Sequence, residues 1–214
     1  MDFVVFDVDG TLIDDSQLAG EENLYLHAVE KVLGVKPSSE LDHYRFKTDA
    51  GILNQILDEY GFQPQEAELH EQVKSVLFDL LKQQISQSAF KWKAMKGAKS
   101  LLEDLKSKNQ IFAIATGSWA PIARLRLDSI GLSIGQIHIS SSENGESKYL
   151  ILQHAINALS NRYSAKPSKV TYIGDHPEDM QACDLLGIEF CGIGTLFKSM
   201  DCYQGNDLTR IVLG

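Results

Sequence analysis

Five short apolar segments recur along the chain, and each ends in a polar residue or a glycine. They cover residues 3–6, 111–115, 137–139, 170–173 and 189–193. These segments are rich in β-branched and aromatic residues and apolar at nearly every position, so they predict strands buried on both faces. Such strands are typical of a parallel sheet that helices cover on each side.

Helical periodicity separates the later strands. Apolar residues spaced three and four apart predict helices over residues 98–108, 121–130, 147–159 and 177–186. Two of these helices have a proline near the first turn and a glycine just past the end, a pattern typical of helix boundaries. The alternation of strands and helices predicts an α/β fold with a doubly wound, Rossmann-like parallel sheet.

A long helical segment interrupts this alternation after the first strand. The pattern predicts helices over residues 17–33, 49–60 and 65–87, with Thr48 as the N-cap of the middle one and Gly61 just past its end. We therefore expect an α-helical cap domain, residues 15–95, inserted into a core formed by residues 1–14 and 96–214. The hinges are predicted at residues 13–17 and 90–97.

The composition of the chain limits the classes of partner that it is expected to bind. The 214 residues are 43% hydrophobic and carry 20 Lys and Arg against 29 Asp and Glu, for a net charge of −9. This balance disfavours nucleic acid and anionic membranes as partners, because both require surplus positive charge. There is no apolar run of about 18 residues, no signal-peptide pattern, and no metal-ligand spacing among Cys183, Cys191 and Cys202. We expect reduced thiols in a cytoplasmic protein.

Polar groups follow the predicted strands at the edge where open parallel sheets bind ligands. They are Asp7 and Asp9, the segment Thr116, Gly117 and Ser118, then Lys148, and finally Asp175 with Asp179. Two carboxylates about 4 Å apart repel each other by roughly 4 kcal/mol at an effective dielectric constant near 20, so the cluster needs a counter-charge. Oxygen ligands favour a hard cation, and Mg²⁺ is the expected one.

The segment FVVFDVDGTLID, residues 3–14, resembles motif I of the haloacid dehalogenase superfamily. Residues 114–118 resemble motif II, Lys148 fits motif III although the prolines common there are absent, and residues 172–179 match motif IV in its GDxxxD form. The four motifs stand in the family's order, and the resemblance covers the whole chain. The sequence is similar to phosphoglycolate-phosphatase-like and β-phosphoglucomutase-like members with a helical cap.

The resemblance implies a role for each of these residues. Asp7 would be the nucleophile that forms an aspartyl-phosphate, and Asp9 would protonate the leaving alcohol and then activate water. Thr116 and Lys148 would assist catalysis and, with Gly117 and Ser118, hold the phosphoryl group. Mg²⁺ would take Asp7, the backbone carbonyl of Asp9, and Asp175. Asp179 belongs to the metal site and would orient metal-bound water or Lys148.

The function implied is a Mg²⁺-dependent phosphatase for a small phosphorylated metabolite, acting as a monomer or a weak homodimer. A phosphomutase of the same architecture remains an alternative, as does a non-enzymatic phospho-receiver or binding protein. A phosphonate hydrolase would need a cap lysine, which Lys31, Lys36 or Lys47 could supply. The substrate would be recognised mainly by the cap, with Arg45, Lys47 and Thr48 as candidates.

Overall fold

The structure is a computed structural model that describes residues 1–14, 19–62, 67–87, 92–132 and 134–211, with backbone alone for 19–23. Its strands are β1 (Asp2–Phe6), β2 (Ile13–Asp14), β3 (Lys93–Ala94), β4 (Ile111–Ala115), β5 (Ile139–Ser140), β6 (Lys169–Gly174), β7 (Glu189–Ile193) and β8 (Tyr203–Gly205). Six of them form one parallel sheet in the order β5-β4-β1-β6-β7-β8. The predicted parallel α/β fold is confirmed.

In the described parts of the chain, seven α-helices accompany the strands. They are α1 (Ala19–Leu33), α2 (Asp49–Glu59), α3 (Ala67–Ser86), α4 (Ala98–Ser107), α5 (Ala120–Ser129), α6 (Lys148–Tyr163) and α7 (Pro177–Leu186). The first three lie between β1 and β4 in the sequence, as the periodicity predicts. The predicted beginnings of the first and third, at residues 17 and 65, lie outside the described residues.

The central strand β1 is buried on both faces. Phe3 and Val5 pack in one apolar cluster with α6 and α7, whereas Val4 and Phe6 pack in a second cluster with α4, α5 and the three inserted helices. Alternate residues of a strand point to opposite faces, which explains why this strand reads as a continuous apolar run. The inserted helices thus share a core with one face of the sheet.

Two strand predictions need correction. The segment predicted over residues 137–139 is a strand only from Ile139, because the amide of Ile137 closes a turn onto the carbonyl of Ile134 at 2.9 Å. The edge strand β8 was not predicted. Its three residues are half-buried or exposed and lack an apolar run, so hydrophobic patterning does not reveal it.

The two predicted hinges contain a short antiparallel ribbon. Ile13 pairs with Ala94 and Asp14 with Lys93, where the chain leaves the sheet and where it returns. The amide of Met95 also donates to the carbonyl of Leu12 at 2.9 Å. The rest of the first hinge and residues 90–91 of the second lie outside the described residues.

The start of α2 contacts the loops at the carboxyl edge of the sheet. The amide of Asp49 donates to the carbonyl of Gly117 at 2.8 Å, and its carboxylate accepts from the amide of Trp119 at 2.8 Å. The Thr48 hydroxyl accepts from the amide of Gly51, as an N-cap does, and donates to the carbonyl of Glu146 at 2.7 Å. These bonds hold the inserted helices against the edge where ligands bind.

None of the three cysteines forms a disulfide bond. Cys183 and Cys191 are buried, Cys202 is half-buried, and all three are free thiols. Burial raises the pKa of Cys191 to about 12, which keeps its thiol protonated at neutral pH. Among the described residues, no helix has both the length and the apolar character needed to cross a membrane.

Candidate active site

Asp7 occupies the first position after β1 and is 3% exposed. Its amide donates to the carbonyl of Ile173 in the neighbouring strand β6 at 2.9 Å, which carries the sheet pairing one residue past the strand. The side chain therefore leaves a rigid strand end directly into the crevice at the carboxyl edge of the sheet. This is the placement that the sequence predicts for a nucleophile.

Lys148, at the beginning of α6, lies between two carboxylates. Its Nζ is 2.7 Å from Oδ1 of Asp7 and 3.0 Å from Oδ1 of Asp179, and its side chain is 13% exposed. Burial disfavours the charged ammonium, but the two carboxylates outweigh burial and raise the pKa of Lys148 above its usual range. Lys148 is therefore a permanent cation, placed to offset negative charge beside Asp7.

Asp179 is fully buried and held from three sides. Its Oδ2 accepts from the amide of His176 at 3.1 Å, its Oδ1 lies 3.1 Å from the Tyr172 hydroxyl, and the same oxygen pairs with Lys148. The hydroxyl is also 3.1 Å from the carbonyl of Ala115, and its single proton can serve only one acceptor at a time. Asp179 pairs with Lys148 in this arrangement, which is the contact that one of its two predicted roles would need.

Asp175 follows β6 and meets the turn after Asp9. The Thr11 hydroxyl donates to Oδ1 of Asp175 at 3.2 Å. Gly10 has a φ of +67°, and a Cβ there would lie 2.0 Å from Oδ2 of Asp175. Glycine is therefore required at this position for two reasons, the left-handed backbone conformation and the close approach of the Asp175 carboxylate.

The three carboxylates predicted for the metal site come together, and Asp9 was predicted to contribute only its backbone carbonyl. One carboxylate oxygen each from Asp7, Asp175 and Asp179 lie within 4.8 Å of one another. Burial is the largest influence on the pKa of Asp7 and raises it, while Lys148 opposes this. The carboxylates of Asp179, Asp175 and Asp9 raise it further, so the pKa lies well above its usual range. An all-oxygen cluster with this excess of negative charge fits a hard divalent cation.

Asp9 belongs to a separate cluster with Arg126 and Ser118. Nη1 of Arg126 donates to Oδ1 of Asp9 at 2.6 Å, and Nη2 donates to the Ser118 hydroxyl. Oδ2 of Asp9 lies 3.4 Å from that hydroxyl. Arg126 is 3% exposed, whereas the Asp9 side chain is 30% exposed. The guanidinium holds the Asp9 carboxylate at the surface of the cleft.

The segment after β4 lies beside both clusters but differs from the expectation in one detail. Thr116 is fully buried, and its hydroxyl accepts from the amide of Ser118 at 3.2 Å. Ser118 lies in the cleft with Gly117, while the Ser118 hydroxyl contacts Arg126. The amide of Ser118, predicted to hold a phosphoryl oxygen, is therefore engaged within its own loop in this structure.

The three predicted specificity residues take different positions. Lys47 lines the cleft and pairs with Asp42 at 2.7 Å. Thr48 is buried and holds α2 against Glu146, so its role is to position the helix. Arg45 stacks on the ring of Phe46, 4.8 Å from its centroid, and is not among the lining residues. Of the three, the geometry favours Lys47 alone as a residue that meets a substrate.

The sequence analysis did not identify Arg126, although its position in a helix indicates that it is buried. It stands four residues after Ile122 on the same face of α5, in a stripe that also contains Ala123 and Leu127. A charged residue within the buried stripe of a helix requires a partner of opposite charge. The partner, Asp9, is 117 residues away in the sequence, so only the fold identifies it.

A family model for haloacid dehalogenase-like hydrolases matches residues 4–193. Among solved structures, a predicted phosphoglycolate phosphatase from Haemophilus somnus 129PT is 15% identical, with a TM-score of 0.65 over 97% of this chain and 94% of its own. A β-phosphoglucomutase from Clostridium difficile is 17% identical, with a TM-score of 0.65 over 98% and 92%. A hydrolase from Pseudomonas syringae is 22% identical, with a TM-score of 0.63 over 89% and 83%. No curated protein matches the sequence.

Proposed function

The chain belongs to the haloacid dehalogenase-like hydrolase family, and we propose that it is a Mg²⁺-dependent phosphatase that hydrolyses a small phosphomonoester through a phosphoryl group carried on Asp7. The observation that carries this proposal is the contact of Lys148 with both Asp7 and Asp179, at 2.7 and 3.0 Å, at the end of β1. It provides a nucleophile and a cation side by side in an open cleft.

Asp7 starts the reaction by attacking the phosphorus atom. One carboxylate oxygen forms a bond to phosphorus while the bond from phosphorus to the alcohol oxygen breaks. The attack brings a carboxylate towards a phosphate dianion, and the ammonium of Lys148 offsets part of that repulsion. Asp179 keeps Lys148 in place through its own ion pair. The phosphoryl group then resides on Asp7 as an aspartyl-phosphate.

Asp9 moves the protons. In the first step it gives a proton to the leaving alkoxide, and in the second it takes one from the water that attacks the aspartyl-phosphate. The bond between phosphorus and Asp7 then breaks, which releases inorganic phosphate and restores the nucleophile. Arg126 contributes by orienting the Asp9 carboxylate, because its two Nη atoms contact Asp9 and Ser118 together.

The cation is part of the proposal. Asp7, Asp175 and the main-chain carbonyl of Asp9 would hold Mg²⁺, with Asp179 nearby. When bound, the cation supplies positive charge that lowers the repulsion between the Asp7 carboxylate and the phosphate. The raised pKa of Asp7 supports this assignment, since a buried carboxylate among other carboxylates needs such a counter-charge to act as a nucleophile.

The proposed domain division assigns residues 1–14 and 96–214 to the catalytic core and residues 15–95 to a helical cap. The ribbon between Ile13–Asp14 and Lys93–Ala94 supports boundaries at these positions, because the chain crosses there in both directions. In this division the core performs phosphoryl transfer, and the cap meets the alcohol part of the substrate.

A phosphate-release assay over a panel of phosphorylated metabolites tests the proposal. We expect turnover with Mg²⁺, none after chelation, and recovery with Mg²⁺ or Mn²⁺ but little with Ca²⁺, whose longer bonds and looser coordination disturb the geometry. Phosphorus NMR of the products separates hydrolysis from transfer to a second alcohol, which a phosphomutase would perform. Full activity after exhaustive metal removal would contradict the metal requirement, and no turnover of any phosphate would contradict the phosphatase.

A further inference from the structure

The cleft that contains Asp7 has a volume of about 280 Å³ and two unlike sides. We call one side the charged floor; its residues are Asp7, Asp9, Arg126, Lys148 and Asp175. We call the other the apolar wall; it is formed by the inserted helices and the segment between α1 and α2, through Tyr25, Leu26, Leu41, Tyr44, Ile52 and Leu77. Ile122 of α5 continues this wall on the side of the sheet.

The two tyrosines of the apolar wall have no hydroxyl proton to offer a substrate, because both hydroxyls already donate to backbone carbonyls. The Tyr25 hydroxyl donates to the carbonyl of Asp49 at 2.6 Å, and the Tyr44 hydroxyl donates to the carbonyl of Ser38 at 2.7 Å. Burial raises the pKa of Tyr44 to about 12, so the phenol stays neutral at physiological pH. Neither hydroxyl has a proton left to donate to a substrate.

Apart from the buried Ser118, whose hydroxyl contacts Arg126, the polar side chains that line the cleft outside the charged floor are half-buried or exposed. They are Ser38, Ser39, Lys47, Asp49, His176 and Glu178. The Lys47 ammonium pairs with Asp42, and the Asp49 carboxylate accepts from the amide of Trp119. A substrate hydroxyl that faced the carbon atoms of the leucine and isoleucine side chains in this wall would lose its hydrogen bonds to water without replacing them. An apolar group in the same place would gain from leaving water.

We propose that the substrate is a phosphomonoester whose alcohol part is a small apolar group, an aromatic or alicyclic ring or a branched alkyl chain, held against the apolar wall while the phosphoryl group lies on the charged floor. This inference rests on the proposed phosphatase activity and names its substrate class. The volume of the cleft suits a single ring beside the phosphate. Polyol and sugar phosphates are disfavoured, since their hydroxyls would meet carbon.

A matched pair of phosphomonoesters tests the substrate class on the complete protein with Mg²⁺. Cyclohexylmethyl phosphate and glucose 6-phosphate both carry a six-membered ring on a primary phosphate ester, and they differ mainly in hydroxyl groups. We expect kcat/KM to be higher for cyclohexylmethyl phosphate by at least about tenfold, the discrimination typical of an apolar pocket. Equal values, or a preference for glucose 6-phosphate, would overturn the inference.

Substitutions in the apolar wall locate the origin of that preference. Leu26 is half-buried and Leu41 is 36% exposed, so glutamine at either position is compatible with folding. Leu26→Gln and Leu41→Gln should each lower the ratio of the two kcat/KM values several-fold. The matched control is Leu185→Gln, an exposed leucine on α7 outside the cleft, which should leave the ratio unchanged. An unchanged ratio in both wall variants would remove the apolar wall as the cause.

Acetyl phosphate separates this inference from the function on which it rests. It offers a good leaving group and no ring. If the wild-type protein hydrolyses acetyl phosphate but shows no preference for cyclohexylmethyl phosphate, the phosphatase stands and the substrate class is wrong. If it hydrolyses none of the three compounds with Mg²⁺ present, the proposed function and the substrate class are both wrong.

Discussion

At the charged floor of the cleft, side chains that follow two strands, β1 and β6, meet side chains of two helices, α5 and α6, and the shortest ion pairs among them measure 2.6 and 2.7 Å. At the apolar wall of the same cleft, the inserted helices and the segment before α2 contribute tyrosine, leucine and isoleucine side chains, which form no ion pairs. The geometry of the charged floor is fixed by contacts between individual atoms, because charges in a crevice must be neutralised. The wall is specified only by shape and hydropathy.

This difference separates reaction from recognition. A change on the floor alters a group that touches the phosphoryl centre, so its effect should appear in kcat. A change on the wall alters contacts with the alcohol part, so its effect should appear in the choice between substrates. The following predictions test that separation, beginning with the floor.

The largest effect is expected from the two aspartates of the DxD segment. Asp7→Asn removes the nucleophile, so turnover and the phosphoenzyme should both disappear. Asp9→Asn keeps the nucleophile and removes the group that transfers protons, which typically costs about 10²–10⁴-fold. With an aryl phosphate, whose leaving group needs little protonation, Asp9→Asn should accumulate the phosphoenzyme. Intact-protein mass spectrometry after mixing would detect one added phosphoryl group.

Two outcomes would contradict this assignment of the nucleophile. A phosphoryl group found on a histidine or a serine, or an Asp7→Asn protein close to the wild-type rate, would mean that the floor is built around a different nucleophile.

The second effect concerns Arg126, which holds Asp9. Arg126→Met should lower kcat by about 10–100-fold on an alkyl phosphate, because a misplaced acid–base group loses much of its effect. The loss should be smaller on an aryl phosphate, which needs less protonation, and Arg126→Lys should recover part of the activity. Steady-state kinetics on both substrates measures the difference.

Arg124→Met provides the matched control, since Arg124 is exposed on the same helix and its guanidinium contacts only the carbonyl of Gly135, at 3.5 Å, among the bonds described. Equal losses on alkyl and aryl phosphates in Arg126→Met would indicate a structural role in α5 instead of the orientation of Asp9.

A smaller effect is expected at the edge of the wall. Lys47 lines the cleft and pairs with the exposed Asp42, and exposed ion pairs are weak. Lys47→Ala should raise KM for the physiological substrate a few-fold, with less effect on a small aryl phosphate and little on kcat. Lys36→Ala, an exposed lysine outside the cleft, is the control. Equal KM changes for both substrates would take Lys47 out of recognition.

The smallest effect concerns a contact between α3 and the loops at the carboxyl edge of the sheet. Glu143 pairs with Lys74 of α3 at 3.2 Å and accepts from the amide of Ala120 at 2.9 Å. Burial alone would raise the pKa of Glu143, but the bonds from Ser141, Ala120 and Lys74 outweigh it and lower the pKa. A lowered pKa contributes stability above the usual glutamate pKa, and this stability is lost as the pH falls through the lowered value.

Glu143→Gln should therefore reduce the free energy of unfolding by about 1 kcal/mol at neutral pH and flatten its decline below the usual glutamate pKa. Thermal unfolding followed between neutral and acidic pH measures both. Glu71→Gln, which removes the more exposed partner of the same lysine, should change the curve less. If the free energy of unfolding of Glu143→Gln fell with pH as steeply as that of the wild type, the protonation of Glu143 would not contribute to the pH dependence of stability.

The strand ends and the residues that follow them could be predicted from the sequence. A strand buried on both faces is recognised in the sequence as a continuous apolar run, and the polar residue after it must lie at the edge of the sheet. Asp7, Thr116 and Asp175 are placed in this way, each by the strand directly before it. Lys148 was predicted because it fits motif III of the family that the sequence resembles, and its place in the first turn of a helix, where a cation opposes the helix dipole, agrees with a nearby anion.

Other features depend on partners that are remote in the sequence. The burial of Arg126 is explained only by the packing of α5, which brings its guanidinium to Asp9. Strand β8 depends on its pairing with the edge of β7. Thr48 was a candidate for recognition, but its hydroxyl holds α2 against the loop at Glu146. Hydrophobic periodicity reports which face of an element is buried and does not report what that face meets.

The sequence by itself therefore determined the parallel sheet, the helical insertion and the carboxylates at the strand ends, because burial and local backbone preferences act over a few residues. The tertiary structure decided which cation neutralises which carboxylate, and which apolar side chains of the inserted helices line the cleft beside them. Those properties arise where elements distant in the chain meet, and there the energy depends on distances between side chains that no local pattern encodes.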